Sequence, residues 1–401
     1  MSTLSVLSNS QTRTLRVLSV HNRYQIRGGE EEVRDAERSL LETMGHTVDI
    51  YEDSNDRVAE MGSMQAAIQT VWSSTAYQAL QRQLDQHQYD VMHVHNLFPL
   101  ISPAAYYAAK EKQIPVIQTL HNYRLLCPNA LFFRDGRVCE DCLGKPIPWS
   151  GVQHACYRES RAATGAVAAM LATHRFLKTW QQQVDLYIAL TEFARKKFIE
   201  GGLPSEKIVV KPHFVDPDPG IGQGTGGFAL YVGRLSVEKG LDVLLSAWKQ
   251  LQGKIPLKIV GDGPLSEAVA AASQEMPAVE WLGRLPMQTV YELMGEARMV
   301  IVPSKWYETF GRVVIEAFAK GTPVIVSNLG AIAELVDAGR TGLHFQPGDS
   351  GDLATQVEWL ISHPIAWATM RQESRREFET KYTAARNYQQ LIEIYSDFPL
   401  S

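Results

Sequence analysis

Short runs of β-branched and large apolar residues alternate along the chain with longer segments in which apolar side chains return every three to four positions. That alternation predicts strands feeding helices. Residues 16–21 form the first run; a loop ending in Gly28-Gly29 follows, then a helical period over 30–44 that Gly45 closes. The same unit recurs with strands over 47–51, 91–95, 116–121 and 185–190 and a helix over 103–112. Periodicity over 161–183 predicts one long amphipathic helix, Ala and Leu on one side, with His174, Arg175 and Lys178 nearby. Packing on the sheet is the ordinary use of such a face, and a membrane surface or acceptor groove is the alternative. The Gly- and Pro-rich segment 216–227, DPDPGIGQGTGG, reads as an interdomain linker. The pattern then restarts with runs at 228–232, 257–260, 279–282, 299–303 and 323–327, and 373–395 is helical by period. Two successive sets of alternating strands and helices predict an α/β protein of two doubly wound domains, over 1–215 and 216–385, with a final helix over 386–401.

A chain of 401 residues agrees with two hydrophobic cores. The composition, 45% hydrophobic and 21% charged with a formal net charge of -5, gives no reason to expect nucleic acid as a partner. The first fifteen residues lack the apolar core of a secretory signal, and the Ala-rich stretch 162–173 is too short to span a bilayer. The expectation is a cytoplasmic protein, in which clustered thiols point to metal or redox chemistry before disulfides. All four cysteines, Cys127, Cys139, Cys142 and Cys156, fall in one loop-rich insert over 127–156, and Cys139-x2-Cys142 has the spacing of a metal knuckle. A structural zinc held by the four thiols, with His154 as a spare ligand, stands beside a redox pair or four unconnected buried thiols.

In open parallel sheets ligands bind beyond the carboxyl ends of the strands, where helix N-termini offer unpaired N–H groups to anions. In the second half those ends carry Gly233-Arg234 with Lys239-Gly240, then Gly261-Asp262-Gly263, Gly283-Arg284 and the segment 304–311. Arg234 and Lys239 flanking a loop that opens a helix can clamp a diphosphate, although two such cations also occur as plain solvated residues. Glu308 stands ahead of a helix over 312–320, where simple helix-start chemistry also favours an anion. Glu316 lies among the apolar Val313, Val314, Ala317 and Phe318 and therefore needs a partner, either a ribose diol or Arg312 at i-4. In the first half, His121 ends a strand in TLHN, where a turn hydrogen bond is its bland role. No Asp-x-Asp pair is placed to hold a divalent ion against a diphosphate.

These motifs in this order resemble glycosyltransferase family 4, the retaining GT-B enzymes. The matching features are the Glu-x7-Glu element from Glu308 to Glu316 within ETFGRVVIEAFAKGTPVIVS, the YVGRLSVEKG loop, the KIVGDGP turn, and the RGGEEEV and TLHN segments. The resemblance implies two Rossmann-like domains facing a central cleft, the second holding a nucleotide-sugar donor such as a UDP- or GDP-sugar. It implies that Glu316 binds the ribose, that Glu308 lies beside the transferred sugar, and that the backbone amides of Phe310 and Gly311 meet sugar hydroxyls. Arg234 and Lys239 would hold the diphosphate, Gly28 and Gly29 would approach the phosphates from the first domain, Gly261 lies in the donor turn, and Arg284 matches a position against the nucleobase. His121 would stand near donor sugar and acceptor. The expected reaction is retaining transfer to a saccharide or lipid-linked acceptor without a catalytic metal, in glycan or polysaccharide biosynthesis, with the final helix crossing back to the first domain and peripheral membrane contact as a possibility. A sugar-nucleotide epimerase or phosphorylase, a nucleotide-sugar sensor, and a zinc-stapled scaffold are the competing readings.

Overall fold

The computed structural model describes residues 13–398, so most of the polar leader read at 1–15 lies outside the described residues. The chain forms two compact units. The first comprises residues up to Phe132, Glu140–Pro212 and the stretch from Ala385; the second comprises Phe133–Cys139 and His213–Ala384.

In chain order the strands of the first half are β1 Arg16–Arg23, β2 Thr47–Ser54, β3 Val91–Asn96, β4 Val116–Thr119, a short antiparallel hairpin of β5 Phe133–Arg134 and β6 Arg137–Val138, then β7 Leu186–Ala189 and β8 Ile208–Val210. Six of them make the parallel sheet of the first unit in the order β2-β1-β3-β4-β7-β8. Every residue of β3 and β4 is buried, as expected of a parallel sheet covered on both faces. Because β2 and β3 lie on opposite sides of β1, the strand order reverses there, and a crevice opens beyond the carboxyl ends of β1 and β3. The helix Gly29–Thr43 leaves that end of β1. Its start is fixed by Glu31, whose carboxylate reaches back to accept from the N–H groups of Gly28 at 3.2 Å and Tyr24 at 3.1 Å, the half of a capping box that does not need a side chain on the capping residue.

Two long helical periods are each interrupted. The stretch read as one helix over 161–183 is a helix Arg161–Phe176, capped by Ser160, and a single turn Thr179–Gln182, separated by Lys178 in the left-handed region at φ 53°. The period read over 373–395 is divided between Pro364–Lys381 and Ala384–Ser396. In the last helix the tyrosines are hydrogen-bonded anchors: the Tyr388 hydroxyl lies 2.8 Å from His46 Nε2 and the Tyr395 hydroxyl 2.7 Å from His93 Nδ1.

The second unit is built on β9 Ala229–Val232, β10 Leu257–Val260, β11 Val279–Trp281, β12 Met299–Val302, β13 Val324–Ser327 and β14 Gly342–Phe345, all parallel, in the order β11-β10-β9-β12-β13-β14. Its reversal point lies at β9, between β10 and β12. Leu244, Trp248, Ile259, Ile301, Leu353 and Leu360 form the centre of one core layer. The segment read as a linker is laced to this unit: Gly222, Gly224 and Gly226 donate their N–H groups to the carbonyls of Lys320, Gly295 and Glu296 at 2.9, 2.8 and 2.9 Å. A Cβ on Gly222 would stand 2.1 Å from Gly295 Cα, so the glycine here serves close backbone approach.

Candidate functional site

The loops that leave β9, β10 and β12 converge because glycine lets their backbones touch. Gly261, at φ 141°, has no room for a Cβ, which would fall 1.9 Å from the Gly233 carbonyl oxygen. Gly240, at φ 73°, opens the helix Leu241–Leu251 against the end of β12; a Cβ there would meet the Pro303 carbonyl oxygen at 1.9 Å. The approach brings Lys239 to the segment that follows β12. Its ammonium donates to Glu308 Oε1 at 2.7 Å, and the Ser304 hydroxyl donates to the same oxygen at 2.6 Å. Burial pushes the Glu308 carboxyl up, but the charge and hydrogen bond of Lys239, with the hydrogen bond from Ser304, outweigh it and hold the carboxyl below its ordinary value. It is an anion fixed in a largely dry place.

The helix Arg312–Ala319 starts immediately after Gly311, at φ 103°. Phe310 is buried, edge-on to the rings of His213 at 5.0 Å and Tyr382 at 6.3 Å between centroids, which sets the direction from which the chain enters the helix. One turn further on, Glu316 is buried and its partner within the unit is Arg312, whose guanidinium lies 3.0 Å from Oε1. The bland reading of Glu316 is therefore realised in this structure. A single ion pair leaves the carboxylate capacity to accept further hydrogen bonds, so the pair and a ribose diol are compatible. Arg234 and Arg284 are exposed on the loops after β9 and β11, at the same end of the sheet as Gly261. Sequence reasoning named Lys239, Glu308 and the segment that Ser304 opens without anticipating that Lys239 and Ser304 both bind Glu308, and it missed His213.

In the first unit the strand ends gather histidines. His121, just beyond β4, accepts or donates a 3.1 Å hydrogen bond between its Nε2 and His95 Nδ1 at the end of β3, and the two rings stack with centroids 5.3 Å apart. His93, two residues earlier on the same strand face, lies 4.3 Å from His95 between centroids and bonds Thr119 Oγ1 at 2.8 Å. His21, at the end of β1, sits 3.6 Å from both Glu30 Oε1 and Glu31 Oε1. Desolvation, aided by Arg34, lowers His21 to about 3, and desolvation lowers His93 to about 4. Burial and then the neighbouring histidines hold His95 well below its ordinary value, and burial followed by His21 does the same for His121. Conversely, desolvation raises Glu30 to about 8 despite the hydrogen bond from Tyr24. The crevice is thus lined by neutral imidazoles, groups that present one donor and one acceptor each. His121 also lines a small recess of about 50 Å³ with Asn122, Arg124, Asn96 and Phe98. Gly28 and Gly29 begin the adjacent helix, and a Cβ on Gly28 would meet no protein atom, so packing within this unit does not demand glycine there.

The sequence profile of Glycosyltransferase Family 4 matches residues 26–219, and that of glycosyl transferases group 1 matches residues 222–379. The chain belongs to glycosyltransferase family 4. Its two Rossmann-like domains are those of the GT-B class: the Anabaena protein HepE, solved in complex with UDP, matches with a TM-score of 0.68 at 18% identity, over 96% of this chain and 100% of that one. An uncharacterized glycosyltransferase of Methanocaldococcus jannaschii is 26% identical over 224 residues, 55% of this chain and 62% of that protein. The 2-deoxystreptamine N-acetyl-D-glucosaminyltransferase of Niallia circulans is 24% identical over 329 residues, 78% of this chain and 77% of that protein. The chain spans less than two thirds of the length of the first curated relatives it matches, 62%, 38% and 34% for three of them.

For a member of this family the cysteines are an additional feature. Cys127 and Cys142 are buried, Cys139 and Cys156 half-buried, and Cys127 Sγ lies 3.0 Å from Asn129 Oδ1. Cys139 belongs to the β5–β6 hairpin, grouped with the second unit, and the other three to the first. Among the described residues the group of three ligand atoms lying within 4.8 Å of one another is Glu37, His93 and His95, with no thiol in it. That trio is already bonded otherwise: the Lys211 ammonium sits 2.6 Å from Glu37, and both nitrogens of His93 are taken by Tyr395 and Thr119. A buried cation on the only carboxylate opposes a metal ion. Among the described residues no helix is long and apolar enough to cross a membrane.

Proposed function

We propose that the protein transfers a sugar, with retention, from a nucleotide-sugar donor to a hydroxyl of a saccharide or lipid-linked acceptor in glycan biosynthesis. The observation that carries this reading is the constellation at the reversal point of the second sheet: a fixed Lys239–Glu308 pair, an exposed Arg234 and a helix N-terminus at Gly311, all presented by converging glycine loops. As the bond between the sugar and the diphosphate breaks, negative charge grows on the leaving phosphate. Arg234, Lys239 and the open N–H groups of the helix are the groups here able to stabilise it, and one such donor is worth roughly 3 kcal/mol. Glu308, held ionised, would accept hydrogen bonds from the sugar hydroxyls, and Glu316 from the ribose diol. His121, neutral and tethered by His95, offers one ring nitrogen to donor sugar or acceptor. Gly28 and Gly29 would meet the phosphates from the first unit, and Arg284 the base. HepE is solved with UDP and with UDP-glucose, which favours a uridine nucleotide over GDP as the first donor to try.

No catalytic metal is needed in this scheme, since the cations are side chains. A structural zinc on Cys127, Cys139, Cys142 and Cys156 is supported by their spacing alone. The donor reading is tested by thermal shift with UDP, GDP and their sugars: a nucleotide at 100 times its dissociation constant adds about 2.7 kcal/mol. Glu316→Gln, which keeps shape and loses charge, should weaken the response to UDP at least tenfold. An unchanged response in that variant refutes the ribose assignment.

A further inference from the structure

We propose that the first unit carries a binding groove for the hydrocarbon tail of an amphiphilic acceptor, one whose sugar is joined through a diphosphate to an isoprenoid chain. The proposal rests on reading the His121 recess as the acceptor side. A groove of about 530 Å³ runs between the helices Ser63–Val71 and Arg161–Phe176. Its walls are apolar, including Met61, Met64, Ala67, Ala163 and Val167, and Arg158 is the one charged residue that lines it among the described residues. Along its lip Met64 and Ile68 are 74% and 61% exposed, large apolar side chains left in water on a short helix. Contiguous apolar surface of this kind marks a binding site, and methionine adapts to chains of varied shape.

The groove and the recess are neighbouring cavities. Thr70 and Phe98 line both. At their border stands Arg124, which lines the recess and has its guanidinium 4.4 Å from the Phe98 ring centroid and 4.9 Å from that of Tyr157, both groove residues. Arg158 lies beside Tyr157 on the groove side, 5.5 Å from the same ring. The recess is thus polar at His121 and Asn122, the guanidinium groups of Arg124 and Arg158 stand about the Tyr157 ring at its border with the groove, and the groove is apolar. A lipid-diphosphate sugar has its parts in that order: hydroxyls, phosphates, hydrocarbon. Guanidinium groups suit phosphate oxygens through paired N–H donors. A free saccharide would leave the groove unused, and a plain hydrocarbon would leave Arg158, the charged residue of its lining, unmatched, whereas Arg124 also donates to the Pro128 carbonyl.

Equilibrium dialysis of farnesyl diphosphate, below its micelle concentration, tests this on the full chain, with inorganic pyrophosphate and farnesol as separate halves. Ala163→Phe fills the groove and Arg158→Glu reverses the exposed cation, and each variant's unliganded melting midpoint reports its folding. Farnesyl diphosphate should bind at least tenfold more tightly than either half, and each substitution should weaken it tenfold or more with the melting midpoint unchanged. Pyrophosphate binding as tightly as the prenyl compound, or full binding retained in folded Ala163→Phe, overturns the proposal. Saturable binding absent while the protein sediments with anionic phosphatidylglycerol vesicles also overturns it, since the face would then be a membrane-contact surface. If farnesyl diphosphate binds through the groove but no nucleotide shifts the melting midpoint, the groove stands and the donor reading fails.

Discussion

Lys239→Met removes the cation that holds Glu308 ionised and leaves the methylene stem in place. The gross attraction at 2.7 Å, with an effective dielectric constant of about 20, is roughly 6 kcal/mol. Breaking a buried pair costs roughly 3 to 5 kcal/mol because the survivor is stranded. Here the Lys239 side chain is 24% exposed and the hydrogen bond from Ser304 remains, so the expected loss is about 2 to 3 kcal/mol. For a domain of this size that lowers the melting midpoint of the second unit by roughly 5 to 10 °C. Glu308→Gln should cost about 1 kcal/mol, because the amide keeps a partner in Ser304 and Lys239 can turn to water. The double variant should be more stable than the sum of the two singles by about 2 kcal/mol. The pH dependence has a definite sign. The native Glu308 carboxyl lies below its unfolded value near 4.5, so the pair contributes fully above that pH and the contribution is lost as pH falls through the native value. In Lys239→Met, burial is less opposed, the carboxyl rises, and the penalty should appear as pH increases above about 4.5. Calorimetry of the four proteins at two pH values measures all of this, and strict additivity would refute the coupling. Activity then separates the roles: the double variant regains stability without regaining turnover if Lys239 also meets the diphosphate.

The first unit should lose stability as pH falls below about 6.5. His21 and His93 have native values near 3 and 4, below their unfolded value, so the neutral cluster contributes above 6.5 and each histidine removes about 1.4 kcal/mol per pH unit below it; Glu30, raised to about 8, works the other way, its contribution lost as pH rises from 4.5 toward 8. Melting curves at pH 7, 6 and 5 with an unchanged midpoint for this unit would contradict the cluster's burial. Gly261→Ala should destabilise the second unit by about 3 kcal/mol or more and weaken nucleotide binding, because the new Cβ would fall 1.9 Å from the Gly233 carbonyl; wild-type melting in that variant would show that the loops do not converge as described. Exhaustive chelation should leave turnover intact under the scheme above, while metal analysis of the purified chain decides the cysteines, one zinc per chain supporting the site and none removing it.

Both sheets were legible because parallel strands covered on two faces must be short, continuous apolar runs, and β1, β3, β9, β10, β12 and β13 are of that kind. The strands that escaped are those without such a run: β8 has three residues and β14 reads Gly342-Leu343-His344-Phe345. The helix breaks escaped because neither is marked by glycine or proline. Lys178 takes a left-handed conformation, and the break after Lys381 is set by Val215, whose N–H bonds the Tyr382 carbonyl across more than 160 positions of sequence. In the 216–227 segment, read as a linker from its Gly and Pro content, the close approach of Gly222 to Gly295 was not legible, because the partner lies far away in sequence.

The site divides along the same line. What depends on one loop or one helix turn could be read: the strand-end cations, the helix that starts at Gly311, and Glu316 facing a dry interior. What depends on two strands meeting could not, and the histidine cluster shows why. Alternation along HVH places His93 and His95 on one face of β3, which the sequence states outright, but that His121 lies against His95 and His21 against Glu30 follows from the strand order β1-β3-β4. The consequence for chemistry is specific. With Nε2 of His121 bonded to His95 Nδ1, one ring donates and the other accepts, so His95 sets the tautomer that His121 holds. A substitution of His95 by Asn, which can still reach toward His121, should therefore change the pH profile of turnover more than the affinity for donor, whereas a purely packing role for His95 would lower stability and leave that profile where it was.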